Sequence, residues 1–79
     1  MESLYTKPEK VFLDKVGKRI KELRTEAKMS EEKLAFACEL DRDFIWAVEK
    51  GDRNISILSL YKISRALHMS LPELLDFPK

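Results

Sequence analysis

The sequence predicts an all-α fold, a compact bundle of five helices, and three observations carry that reading. Turn formers are scarce: the 79 residues include two glycines and three prolines, and Pro72 and Pro78 both fall in the last eight positions. A chain so poor in hairpin signals leans toward helices. Apolar residues recur at spacings of three and four rather than two, the period of an amphipathic helix. Serines or an aspartate stand at regular intervals just before those apolar runs, at Ser30, Asp41, Ser56 and Ser70, where helix N-caps belong.

Residues 1–9 carry no periodicity and read as an N-terminal arm, with Pro8 suited to a first helical turn. The domain proper is expected over residues 10–77. Phe12, Val16, Ile20, Leu23 and Ala27 form one stripe, which predicts a first helix over 10–28. Gly17 inside it costs about 1 kcal/mol against alanine, so a close packing contact is expected there. Ser30 caps a short second helix with Glu31 and Glu32 in its first turn and Leu34, Ala35 and Cys38 inward. Asp41 caps a third helix with Ile45 and Val48 inward, closed by Gly51 as a left-handed C′ residue. Ser56 opens a fourth, whose inward stripe is Ile57, Leu60, Ile63 and Leu67. Ser70-Leu71-Pro72-Glu73 is a capping box that opens a fifth, with Leu74 and Leu75.

The composition excludes several classes of function. Cys38 is the sole cysteine and reads as a small buried hydrophobe. No apolar stretch approaches the roughly 18 residues of a membrane span, and no signal-peptide pattern opens the chain. A reducing, cytoplasmic location without membrane attachment is therefore expected. One histidine, His68, and one cysteine cannot assemble a zinc site alone. Gly17 and Gly51 lie too far apart for a phosphate-cradling loop. No catalytic dyad is evident, so neither enzymatic activity nor a cofactor is expected.

The informative unit is residues 30–51: two short helices, a connection of about three residues, and a second helix with a polar outer side. That is the pattern of a helix-turn-helix, in which one helix braces against the DNA backbone and the next lies in the major groove. The charge is unevenly spread along a chain whose net is only +1. Residues 7–28 hold eight bases and four acids, a net of +4, whereas residues 30–51 hold six acids and three bases, a net of −3. Trp46 points away from the inward pair Ile45 and Val48, and an exposed tryptophan suits a DNA or a protein contact.

The residues Met29-Ser30-Glu31-Glu32-Lys33-Leu34-Ala35 and Phe44-Ile45-Trp46-Ala47-Val48-Glu49-Lys50-Gly51 resemble the phage-repressor and Cro-like, or XRE-type, domains. Asp52-Arg53-Asn54-Ile55-Ser56 with Ile63 and Ala66-Leu67 is most similar to the small controller proteins of restriction–modification systems. The resemblance spans about residues 11 to 76. It implies a lambda-repressor-like five-helix domain with the helix-turn-helix at helices two and three, homodimerisation, and sequence-specific regulation of transcription from a two-fold operator on double-stranded DNA. It also implies roles for residues. Arg24 and Glu49 match a structural salt bridge. Arg42, Asp43, Trp46 and Ala47 occupy base-reading positions, where an arginine pairs in bidentate fashion with guanine. Lys50, Arg53, Asn54 and Glu31 occupy phosphate-facing ones. The chain departs from the family's usual residues at Glu31 (commonly glutamine), Glu39 (commonly glycine), Phe36 and Trp46. Those acids and aromatics motivate an alternative, a helix-turn-helix retuned for a protein partner, or an antitoxin-like regulator engaging both.

Leu58 and Tyr61 flank the inward stripe of helix four, and Leu71 and Phe77 lie near the same end of the chain. Together they are more apolar surface than so small a domain leaves exposed, and a two-fold homodimer interface would bury them.

Overall fold

The computed structural model describes residues 4–78. It contains five helices: α1 (Lys7–Glu26), α2 (Glu31–Cys38), α3 (Arg42–Glu49), α4 (Ile57–Ala66) and α5 (Leu71–Leu74), with no strand among the described residues. The all-α expectation holds. Side-chain oxygens of Ser30, Ser56 and Ser70 accept from the backbone N–H three residues on, satisfying donors that a helix start leaves orphaned. At Asp41 the position is right and the chemistry is not: its backbone is extended as an N-cap should be, but its side chain makes no capping bond.

The first helix starts earlier than its apolar stripe suggests. Thr6 Oγ1 accepts from Glu9 N at 3.3 Å while Glu9 Oε1 accepts from Thr6 N at 2.9 Å, and Pro8 sits in the first turn. This capping box moves Lys7–Glu9 out of the expected arm and into α1; residues 1–3 of that arm lie outside the described residues.

The core is built from Val16, Ile20 and Leu23 of α1, Leu34, Ala35 and Cys38 of α2, Ile45 and Val48 of α3, Leu60 and Ile63 of α4, with Leu67 and Leu74. Burial pushes the Cys38 thiol up to about 11, which keeps it an inert part of that core. In sequence-distant order, α1 packs on α3, α3 on α2, α2 on α4 and α4 on α5. Three residues expected inward are exposed: Phe12, Ala27 and Ile57. Phe12 lies in the second turn of α1, Ala27 is its C-cap, and Ile57 is the first residue of α4.

Gly17 explains how α1 and α3 come so close. A Cβ built there would collide with the carbonyl oxygens of Val48 and Glu49, so the α1 backbone rests directly against the last turn of α3. Lys10 finishes the same job two turns earlier. Its Nζ donates to the carbonyls of Gly51 at 3.0 Å and Lys50 at 3.4 Å, placing a cation at the negative end of α3. Asp14 and Asp52 hold that ammonium in its charged form and raise its pKa. Gly51, at φ +76, turns the chain out of α3 beneath it.

Candidate nucleic-acid interface

The connection between α2 and α3 is Glu39-Leu40-Asp41. It is tight because Glu39 takes the left-handed conformation, φ 58 and ψ 39. Its N–H then reaches Phe36 O at 3.2 Å, and Leu40 N reaches Ala35 O at 2.9 Å, so the last carbonyls of α2 find donors. An L-residue pays about 1–2 kcal/mol for that conformation and glycine does not. Glu39→Gly is therefore expected to raise stability by about 1 kcal/mol, read as a rise of about 4–8 °C in Tm for a domain of this size. A lower Tm would show that the Glu39 side chain contributes more than its backbone costs.

The angle between α1 and α3 is pinned by an ion pair. Arg24 Nε donates to Glu49 Oε2 at 2.6 Å and Nη2 to Oε1 at 3.1 Å, while Nη1 donates to Met29 O at 2.8 Å. The two side chains are 13% and 3% exposed. This bidentate geometry is the strong form of a charge-assisted bond. Glu49 raises the Arg24 pKa. Burial pushes the Glu49 carboxyl up, against the pull of Arg24, and the nearby Glu31 carboxyl pushes it further.

The outward side of α3 carries the residues expected to read bases. Arg42 and Asp43 are exposed in its first turn, Trp46 is 47% exposed and Ala47 is half-buried beside it. Arg42 lies between two acids, with Nη2 4.0 Å from Glu31 Oε1 and Nη1 3.8 Å from Asp43 Oδ1. The Glu31 carboxylate, placed by sequence toward phosphate, is turned to Arg42 with its side chain 20% exposed. The cations expected on phosphate rest on aromatic rings. Lys50 Nζ sits 4.3 Å from the centroid of Trp46 and the Arg53 guanidinium 5.1 Å from that of Phe44, both within cation–π range. Arg53 also joins Asp41, Arg42, Asp43 and Phe44 around one open depression. Asn54 lies apart from these, beside Tyr5, Pro8, Phe12 and Leu13. Phe36 of α2 is 87% exposed.

Sequence reasoning missed Phe44 and Lys10. Phe44 stands one position before Ile45, and only the path of the loop after α3 brings Arg53 over it. Lys10 acts across some forty residues, with no local pattern to betray it. The Lys50–Trp46 contact, by contrast, joins neighbours four apart along α3, a spacing visible in the sequence.

Leu58 and Tyr61 are 60% and 50% exposed on α4, and Ile57, at 70%, extends their patch. Tyr61 and half-buried Leu71 line one depression with Ser64, Arg65 and His68. Phe77 packs instead against Phe12 of α1, with ring centroids 6.4 Å apart.

Among the described residues no group of histidine, cysteine and carboxylates is arranged to hold a metal ion, and no helix is long and apolar enough to cross a membrane. Comparison with known proteins agrees with this geometry. Over 62 residues the chain is 44% identical to the control protein C.BamHI of Bacillus amyloliquefaciens, covering 77% of this chain and 76% of that one. Over 59 residues it is 41% identical to the control protein C.MunI of a Mycoplasma species, covering 73% and 80%. Its fold is similar to that of the restriction–modification controller protein C.AhdI from Aeromonas hydrophila, with a TM-score of 0.78, 43% identity, and coverage of 80% of this chain and 96% of that one. A helix-turn-helix family model matches residues 20–74, which include every element from the middle of α1 to the end of α5. The chain belongs to the helix-turn-helix family of DNA-binding transcriptional regulators.

Proposed function

We propose that the chain acts as a homodimer on a two-fold DNA site, with α3 in the major groove of each half-site. The observation that carries this reading is the outer face of α3 and the loop after it, where Arg42 is exposed in the first turn and Lys50 and Arg53 are propped on Trp46 and Phe44. Arg42 is the base reader, suited to bidentate contact with guanine O6 and N7, which is worth about 1–3 kcal/mol of discrimination. Trp46 and Ala47 offer apolar contact to thymine methyl groups, and Asp43 an acceptor for a cytosine amino group. Lys50, Arg53 and Asn54 contact phosphate and set the register. The similarity to restriction–modification controller proteins supports control of a restriction–modification locus as the setting.

Two substitutions test the division of labour. Arg42→Ala is expected to weaken binding to the preferred site by about tenfold or more and to random DNA only slightly. Arg53→Ala is expected to weaken both alike and to reduce the salt dependence by about one unit of slope. Equal losses on both DNAs for Arg42→Ala would overturn the base-reading assignment. The readout is fluorescence anisotropy of labelled duplexes across a salt series.

A further inference from the structure

We propose that the outward face of α1 is a docking surface for an acidic, amphipathic helix of another protein. The face is separate from the outer side of α3 and from the apolar patch on α4, and the inference does not rest on the proposed function.

Helical spacing sets the face. Lys7, Val11, Lys15 and Lys18 follow one another at steps of four, four and three, which makes a single stripe along α1. At about 100° per residue that stripe stands across the helix from Ile20, which is fully buried. The solvent side of a surface helix is ordinarily polar. Here Val11 is 45% exposed and its neighbour Phe12 is 50% exposed.

Three open depressions adjoin at these side chains. One is walled by Lys7, Pro8, Val11, Phe12 and Lys15. A second shares Pro8 and Phe12 with it and runs on to Tyr5 and Leu13. The third begins at Lys15 and is bounded by Lys18, Arg19 and Phe77, whose ring centroid lies 6.4 Å from that of Phe12. An apolar trough thus follows α1 from Lys7 to Lys18, about three turns or roughly 18 Å.

Charge identifies the occupant. Among the described residues, Lys7, Lys15 and Lys18 form no ion pair. The acids of α1 nearest to them are engaged or lie at one end. Glu9 accepts from the Thr6 N–H and Asp14 holds Lys10, while Glu22 and Asp76 both stand at the Lys18 end of the trough. Arg19 adds a cation at that end, its own donors committed to the carbonyls of Glu73 and Leu74. The trough therefore has an apolar floor and a positive edge. Lysine stems extend apolar surface while their ammonium ends reach outward. A helix docked in a groove anchors itself by apolar residues three and four apart, and carboxylates flanking those anchors meet Lys7, Lys15 and Lys18.

Other occupants fit less of the surface. Duplex DNA offers phosphate to the lysines and leaves Val11 and Phe12 uncovered. A second copy of the chain, related by a two-fold axis, sets the same lysines against one another, like charge against like.

The test is selection of peptides of about 14 residues, long enough to span the trough as a helix, from a random displayed library on the whole chain. The tightest peptide is then labelled and titrated by fluorescence anisotropy. It is expected to carry net negative charge with apolar residues three and four apart. Val11→Ser is expected to weaken its binding by about 3–10-fold, and Lys15→Glu/Lys18→Glu by about tenfold or more, with Tm unchanged in both. Leu58→Glu/Tyr61→Glu is expected to bind the peptide as the wild type does. An empty selection, neutral or basic peptides, or equal binding by the wild type and both α1 variants overturns the proposal. Loss of duplex binding in Val11→Ser gives the face to DNA, and loss of a wild-type dimer in that variant gives it to a second copy; either result overturns the proposal as well.

Discussion

Arg24→Ala is expected to destabilise the domain by about 3–5 kcal/mol, because it strands a buried carboxylate, and to lower Tm by more than about 10 °C. The loss includes the bond to Met29 O, which ties the end of α1 to the start of the helix-turn-helix. The effect is expected to depend on pH in a direction that the surroundings of Glu49 dictate. Without Arg24, the hydrogen bond and charge that hold the Glu49 carboxyl down are gone, while burial and Glu31 still push it up. The folded value then stands above the ordinary 4.5, so the folded state binds the proton more tightly than the unfolded chain. That contribution is fully present below the ordinary value and is lost as pH rises through the folded one. Arg24→Ala is thus more stable at pH 5 than at pH 7.5, and Arg24→Ala/Glu49→Gln has most of that pH dependence removed. Thermal melts followed by circular dichroism decide the matter; an unchanged Tm in Arg24→Ala means that the pair contributes nothing to the fold.

The double substitution Leu58→Glu/Tyr61→Glu is expected to leave the fold intact and to lower affinity for the preferred site by more than about 100-fold. The reason is multivalency. Two linked recognition helices bind with the second engagement made intramolecular, a gain of about 10²–10⁴ that needs no new contact. In the proposed dimer, Ile57, Leu58, Tyr61 and Leu71 of one protomer would meet the same patch of the other, and the two α3 helices would lie about 34 Å apart, one turn of B-DNA. Phe77 packs on α1 and contributes less to that patch than its sequence position suggests. Sedimentation of both proteins at micromolar concentration, paired with anisotropy on the site, separates assembly from binding. A wild type that stays monomeric up to about 100 μM, far above the range of a useful dimer, contradicts the proposed interface.

What was legible in the sequence is what depends on neighbours along the chain. The serine caps at 30, 56 and 70 and the glycine at 51 follow from backbone donors that each helix leaves unpaired, a local matter. The start of α1 was equally local, since Thr6-x-x-Glu9 is itself a capping box. Apolar periodicity does not reveal it, because the box lies six residues ahead of Phe12, where the stripe begins. Ile57 shows the limit of periodicity from the other side: the stripe includes it, yet it is 70% exposed at the start of α4. The charges at the site were legible as residue types and not as partners. Glu31 was expected to face phosphate, and only the tight turn at Glu39 brings α3 round so that Arg42 reaches it. The acidity of residues 30–51 looks different in that light, since Glu49 neutralises Arg24 and Glu31 faces Arg42.

The direct test of DNA binding is the affinity of the wild type for a duplex as salt is raised from about 50 to 200 mM. In the proposed complex Lys50 and Arg53 of two protomers would neutralise about four phosphates, and at about 0.9 per phosphate the logarithm of the binding constant is expected to fall with the logarithm of salt at a slope near −3.6. Binding at 50 mM that weakens with that slope or a steeper one is the expected result. No binding at 50 mM salt, on random DNA or on duplexes drawn from a selected pool, contradicts it and turns the exposed Phe36 and Trp46 toward a protein partner instead.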